Sequence, residues 1–210
     1  MALFTLENVN YKNILRYPNL EIVENCATFI CGESGSGKST LLKLLNGVIS
    51  PTSGVITYAG KYVDDYDPIV LRREVLLVSQ GVYLFDMTIQ ENFDEYYRYR
   101  DKEPISEQEM KFYLAICAVD LPLESSCNVL SGGERQRIFT AIHLSFGAKV
   151  LMLDEPTSAL DNKSAATFME NVKFYCQQNK LALLVVSHDR SVVDQYADVV
   201  INLEGGAMHE

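Results

Sequence analysis

One octapeptide, Gly32-Glu33-Ser34-Gly35-Ser36-Gly37-Lys38-Ser39, constrains this 210-residue chain more than any other part of it. It meets the pattern G-x-x-x-x-G-K-[ST] at every fixed position. Its glycines let the backbone curl until successive N–H groups face a single anion. A helix starting directly behind the loop adds its positive end to the same site. The flanks supply that context. Residues 27–31 are an apolar, β-prone run, and 38–46 gather Leu41, Leu42, Leu44 and Leu45 on one broad side of a helix. A Gly/Ser-rich turn arising by chance does not come with both. The segment 32–40, ending in Thr40, therefore predicts a nucleoside triphosphate site, in which Lys38 reaches the β- and γ-phosphates and the Ser39 hydroxyl faces magnesium.

The remaining pattern is that of an α/β chain. Strands are expected at 3–9, 27–31, 75–78, 150–153, 181–186 and 199–203, several almost continuous in Leu, Val and Ile, as in a sheet covered on both faces. Helical spacing recurs at 134–146 and 163–178. Between 93 and 129 the composition turns Tyr-rich and charged, with Pro104 and Pro122, and reads as an inserted helical subdomain. The strand at 150–153 delivers two carboxylates at its C-terminal end, the edge where open α/β sheets bind ligands. Asp154 is the candidate magnesium ligand, and Glu155 the candidate general base for an attacking water.

Composition excludes other classes. With 28 acidic against 18 basic side chains the net charge is −10, so no nucleic acid partner is expected from bulk charge. No apolar run approaches the roughly 18 residues of a membrane span, and MALFTLENVN has no basic region leading into a long apolar stretch. Five cysteines without a CxxC pair fit reduced thiols in an intracellular protein rather than a disulfide framework.

Many protein classes use a phosphate loop, and a second motif narrows the choice. Leu130-Ser131-Gly132-Gly133-Glu134-Arg135-Gln136-Arg137 resembles the LSGGQ-type signature of the ATP-binding cassette (ABC) ATPases, with Glu134 at the variable fifth place. Physically it is another glycine-rich turn at a helix start, a second anion site in one chain, although such a turn also serves simply to cap a helix. The smaller motifs resemble the same family in the same order. Gln80 stands at the Q-loop position, Ser158-Ala159-Leu160-Asp161 at the D-loop, His188 at the switch histidine, and Tyr11 at the adenine-stacking aromatic, with Tyr17 as a competitor. Taken alone, Gln80 is an ordinary strand-end residue, Asp161 a helix cap and His188 a structural histidine. The resemblance runs from Leu6-Glu7-Asn8-Val9 to Asn202-Leu203-Glu204-Gly205, and departs at Asn25, where a turn glycine is common, at Ser79, where proline is frequent, and in a short helical region.

This resemblance implies a P-loop NTPase fold of ABC type: a mostly parallel core sheet, an N-terminal antiparallel β subdomain and an inserted helical subdomain. One domain would span 1–210, with the α/β core at 1–92 and 130–210, the helical part at 93–129, and the signature at 130–137. It implies ATP and Mg²⁺ as cofactors, with magnesium on Ser39, Gln80 and Asp154, and Glu155, His188, Lys38 and Gln80 as catalytic residues. Ser131, Gly132, Gly133 and Asp161 would act on ATP held by a second ABC ATPase copy, in a homodimer or heterodimer. Transport would run through separate transmembrane permease subunits docking near the Gln80 loop and helical insert, with Leu84, Phe85, Tyr96, Tyr97 and Tyr99 as candidate contacts. The implied location is cytoplasmic, on the inner face of the cell membrane. A non-transport ABC ATPase acting on DNA or ribosomes is the alternative.

Overall fold

The computed structural model describes residues 1–203. In chain order it places strands β1 (Ala2–Tyr11), β2 (Leu15–Arg16), β3 (Leu20–Val23) and β4 (Ala27–Cys31), helix α1 (Lys38–Leu45), strands β5 (Ser53–Tyr58) and β6 (Lys61–Tyr62), helix α2 (Pro68–Glu74) and strand β7 (Val75–Val78). Helices α3 (Ile89–Arg98), α4 (Glu107–Ile116) and α5 (Gly132–Leu144) follow, then β8 (Val150–Asp154), α6 (Asn162–Gln178), β9 (Ala182–Val186), α7 (Arg190–Tyr196) and β10 (Val199–Asn202).

Two sheets form. β1 pairs antiparallel with β2, β3 and β5, and β6 extends β5. The other sheet runs in the order β10-β4-β9-β8-β7 with every neighbouring pair parallel. Strands β8 and β9 are buried at every position, which is why their sequences are continuous rather than alternating in hydrophobicity. Alternate residues feed opposite cores. Leu183 and Val185 pack with α5 and α6 residues, whereas Leu184 and Val186 pack with the leucines of α1 and with β1. Full burial of one such side chain contributes about 1.5–3 kcal/mol.

Parallel pairing determines where the site lies. Val78 registers with Leu153, Asp154 with Val186, and Val186 with Ile30. The phosphate loop, Gln80, Asp154-Glu155 and Ser187-His188 therefore all emerge from the C-terminal edge of one sheet.

The helical segment begins at Ile89, four residues ahead of Phe93, because Thr88 and Glu91 close a capping box there. Asn92 is wholly buried and ties the preceding loop down, accepting the Phe85 N–H (2.8 Å) and donating to the carbonyl oxygens of Thr88 (2.9 Å) and Phe85 (3.2 Å). Helix α5 starts two residues before the expected 134, since Ser131 rather than a later residue is its N-cap. Strand and helix bounds elsewhere fall within a few residues of the sequence expectation. The short elements β2, β3, β6, α2 and α7, together with β5, lie outside the individual expectations. Asn25 adopts φ +56°, the left-handed conformation that asparagine tolerates and that explains the usual glycine there. The resemblance at Glu204 and Gly205 falls outside the described residues.

Candidate active site

Strand β4 delivers the chain into the phosphate loop through backbone that only glycine accommodates. Gly32 has φ +152°, and a Cβ there would lie 2.4 Å from the Leu203 carbonyl oxygen. Gly37, at φ +93°, is the N-cap of α1 and brings no capping side chain. The first amides of α1 therefore face outward without a protein partner from the cap, as an anion site requires. The Lys38 ammonium folds over the loop and donates to the carbonyl oxygens of Gly32 (2.9 Å) and Glu33 (2.8 Å). Ser36 is buried inside the turn, and the Glu33 side chain is exposed.

A cleft of ≈ 520 Å³ gathers Gly32, Ser34, Gly35, Gly37, Lys38, Ser39 and Thr40 with Gln80, Glu155 and His188. That volume falls within the roughly 300–1,000 Å³ typical of ligand sites. Ser39 Oγ donates to Asp154 Oδ1 at 3.0 Å. Burial lifts the Asp154 carboxyl above its ordinary pKa, an effect opposed by the Ser39 hydroxyl and the Lys43 and Lys38 charges. A hydroxyl, a carboxylate and the Gln80 amide are hard oxygen donors beside an anion site, the donor set that suits magnesium held jointly with phosphates. Both oxygens of Glu155 are engaged: Gln80 Nε2 donates to Oε2 at 3.1 Å, and His188 Nδ1 lies 3.4 Å from Oε1.

The structure does not bring the other candidate residues to this cleft. Ser131 and Gly132 are exposed at the start of α5, where Ser131 N–H (2.9 Å) and Oγ–H (2.6 Å) donate to Glu134 Oε2 and Glu134 N–H returns a bond to Ser131 Oγ. Those bonds also hold the Glu134 carboxyl below its ordinary pKa. Gly133 is buried: a Cβ there would meet Leu160 Cδ2 at 2.7 Å and the Ala159 carbonyl oxygen at 2.8 Å. At Gly132 the nearest atom, Ala159 Cβ, is 4.0 Å away, so nothing among the described residues demands a glycine. Asp161 caps α6, accepting the Lys163 and Ser164 N–H groups at 3.0 Å.

The aromatic positions differ from the sequence expectation in detail. Tyr11 ends β1 half-buried, with the Lys12 ammonium 5.3 Å from its ring centroid, and Leu15 rather than Tyr11 lines the cleft. Tyr17 is buried and donates its hydroxyl to the Gly37 carbonyl oxygen at 2.9 Å. Tyr97 corrects the expectation of a surface contact: it is 4 % exposed and donates to the Ser145 carbonyl oxygen at 2.9 Å. Leu84 is likewise buried. Phe85, Tyr96 and Tyr99 do reach the surface, lining a recess of ≈ 440 Å³ with Tyr83, Arg100, His143 and Phe146. Leu15 and Gln136 are not among the candidate site residues; the sequence signal for Leu15 is the apolar pair Ile14-Leu15 that follows Tyr11, and that for Gln136 is its place in the signature motif.

The geometry is that of a P-loop ATPase site, and comparison with known proteins identifies the family. A family model described as ABC transporter matches residues 15–158. The chain is 36% identical to a probable iron export ATP-binding protein of Escherichia coli, over 99% of this chain and 95% of that protein. It is 34% identical to an energy-coupling factor transporter ATP-binding protein of Ligilactobacillus salivarius, over 96% of this chain and 71% of that protein. Among solved structures it is similar to cbiO1 of Clostridium perfringens, part of the ABC transporter complex cbiONQ (TM-score 0.85, 25% identity, 98% of this chain and 86% of that one). It is also similar to a dimeric bacterial ABC transporter cassette (TM-score 0.83, 26% identity, 98% and 97%). The chain belongs to the ABC transporter family as an ATP-binding subunit, and members of this family hydrolyse ATP to power transport.

Proposed function

We propose that two copies of this chain close head to tail over ATP and that Glu155 orients the water that attacks the γ-phosphate. One observation carries the assignment of Glu155: its carboxylate is held between Gln80 Nε2 and His188 Nδ1 at the edge of the cleft that contains Lys38 and Ser39. In-line attack forms the new P–O bond to water as the bond to ADP breaks. Glu155 accepts the water proton, while Lys38 and His188 stabilise the charge developing on the phosphoryl oxygens. Ser39, Asp154 and Gln80 would hold magnesium, which when bound neutralises phosphate charge. Tyr11 is assigned to adenine. The loop 32–40 supplies the main-chain N–H groups that hold the phosphates.

Ser131, Gly132, Gly133 and Asp161 are assigned to the partner's ATP. The exposure of Ser131, Gly132 and Asp161 away from this chain's own cleft supports that reading, as does the dimeric state of a similar cassette. A homodimer is favoured because every motif on both faces is intact. Among the described residues no helix is long and apolar enough to cross a membrane. The membrane work then belongs to permease subunits, which place this chain on the cytoplasmic face of the membrane, and no nucleic acid takes part. The recess lined by Phe85, Tyr96 and Tyr99 is assigned to those subunits. There the Arg100 guanidinium lies 4.2 Å over the Phe146 ring and its Nε has no partner among the described residues, so an apolar segment carrying an acidic side chain suits it.

The test is ATP-dependent dimerisation of Glu155→Gln beside wild type, by size-exclusion chromatography with turnover measured on the same samples. A hydrolytically dead variant that dimerises only with ATP is the expected result. Retained turnover would remove Glu155 from the chemistry, and a variant that stays monomeric with ATP bound would remove self-pairing.

A further inference from the structure

The Glu155 main chain sits in an unusual conformation that other segments hold in place. Its φ is +52°, in the left-handed region that a side chain disfavours, directly after β8 ends at Asp154. Its N–H donates to the Val186 carbonyl oxygen at 3.0 Å. Its carbonyl oxygen accepts two side-chain donors, Gln136 Nε2 and Ser158 Oγ, each at 3.0 Å. The conformation that aims the carboxylate at Gln80 and His188 is thus maintained partly by α5, a helix otherwise remote from the cleft.

Gln136 is an expensive residue for packing alone. It is 6 % exposed, and its Oε1 is buried without a hydrogen-bond partner among the described residues. A buried amide with an orphan acceptor destabilises a fold relative to an apolar side chain of the same shape. What it gains is one bond, and that bond ends on the residue carrying the base. A carbonyl oxygen only accepts, so the NH₂ group must face Glu155, and the orphan is necessarily the oxygen.

We propose that Gln136 is a positioning residue for Glu155. Its amide, assisted by Ser158, keeps the Glu155 backbone in the left-handed conformation from which the carboxylate meets water. Because Gln136 lies on the helix that Ser131 caps, and Gly133 of that helix packs on Ala159 and Leu160, the same bond joins the signature turn to the base of its own chain. The inference rests on the reading of Glu155 given above.

The experiment compares kcat, KM for ATP, nucleotide affinity and Tm for wild type, Gln136→Met, Gln136→Asn and Glu155→Gln in the full chain. Gln136→Met fills the slot but cannot donate. Displacing a reacting group by about 1 Å costs on the order of a hundredfold, so kcat is expected to fall roughly ten- to hundredfold, with KM and ATP affinity within about twofold of wild type. Gln136→Asn keeps an amide but withdraws it by one methylene, and should show the same loss in kcat alone; it decides the matter if the methionine variant does not fold. A kcat within twofold of wild type overturns the proposal. So does a fall in kcat matched by weaker ATP binding, which would place the damage in the phosphate loop. Retained turnover in Glu155→Gln would overturn the reading of Glu155 itself, whatever the Gln136 variants do.

Discussion

Tyr17 donates its phenolic hydroxyl to the Gly37 carbonyl oxygen at 2.9 Å, from a position 5 % exposed beneath the phosphate loop. The bond fixes the residue at which the loop becomes α1, the point from which the amides are aimed. It also separates two tyrosines that the sequence leaves as rivals: Tyr17 braces the loop from inside, and Tyr11 remains half-buried at the end of β1.

Removing that hydroxyl leaves the Gly37 carbonyl oxygen with the Leu41 N–H, at 2.8 Å, as its remaining donor. Tyr17→Phe is expected to cost about 0.5–1.5 kcal/mol, read as a lower denaturation midpoint in urea with an unchanged slope. ATP affinity should weaken in the same variant. A midpoint equal to wild type would show that the bond contributes nothing to the loop.

The two signature glycines should behave differently. Gly133→Ala forces a Cβ against Leu160 and the Ala159 carbonyl oxygen, and is expected to lower Tm by several degrees, since about 1 kcal/mol shifts a domain of this size by roughly 2–4 °C. Gly132→Ala meets only an ordinary contact with Ala159 Cβ at 4.0 Å and, at the first residue of α5, gains at most the roughly 0.5–1 kcal/mol of helix propensity seen in a helix interior. Its Tm should stay level or rise while ATP-dependent dimerisation is lost. Equal loss of Tm in both would contradict this assignment, and so would dimerisation surviving Gly132→Ala.

His143 makes stability pH-dependent in a defined direction. Its Nδ1 lies 2.7 Å from the Phe139 carbonyl oxygen, and its ring packs against Tyr96, Phe139 and Phe146. Burial, with a smaller contribution from the Arg100 charge, drives its pKa down from 6.5 to about 4. The unfolded chain then binds more protons than the native one between those values. The contribution is fully present above pH 6.5 and is lost as the pH falls toward 4, amounting to at most about 3 kcal/mol. Urea denaturation across pH 7.5–4.5 should show a shallower acid limb for His143→Gln than for wild type. Parallel limbs would show that other groups set the acid sensitivity.

The recess beside His143 should be an energetic centre of membrane-subunit binding. Phe85 stacks on Tyr99 at 6.0 Å and meets Tyr83 edge-on at 5.0 Å, leaving an aromatic wall beside Arg100. Buried aromatic and Arg anchors in interfaces commonly contribute about 2 kcal/mol or more, so Phe85→Ala and Arg100→Ala should each reduce co-purification with the cognate permease at least tenfold. Tm of the isolated chain should change little for Arg100→Ala. Undiminished capture by both variants would assign the docking face elsewhere.

The phosphate loop, the acidic end of β8 and the glycine-rich turn ahead of α5 are legible in the residues alone. Each of these is a local device: glycines, a cap or an apolar run acts within a few residues of itself, so its chemistry can be read without the fold. The short edge strands were less legible because two- and four-residue segments carry too few apolar repeats to show a period. Which side chains meet follows from the packing of the elements. Parallel register placed Gln80, Glu155 and His188 together across β7, β8 and β9, although they lie far apart in sequence. Packing also put Tyr97 inside and Phe85 outside, though both are aromatic residues of one segment, and it brought Gln136 of α5 onto the Glu155 carbonyl oxygen. Those outcomes depend on how helices pack over the sheet, and no local pattern carries that information, because a hydrogen bond between distant residues is set by the path of the chain between them.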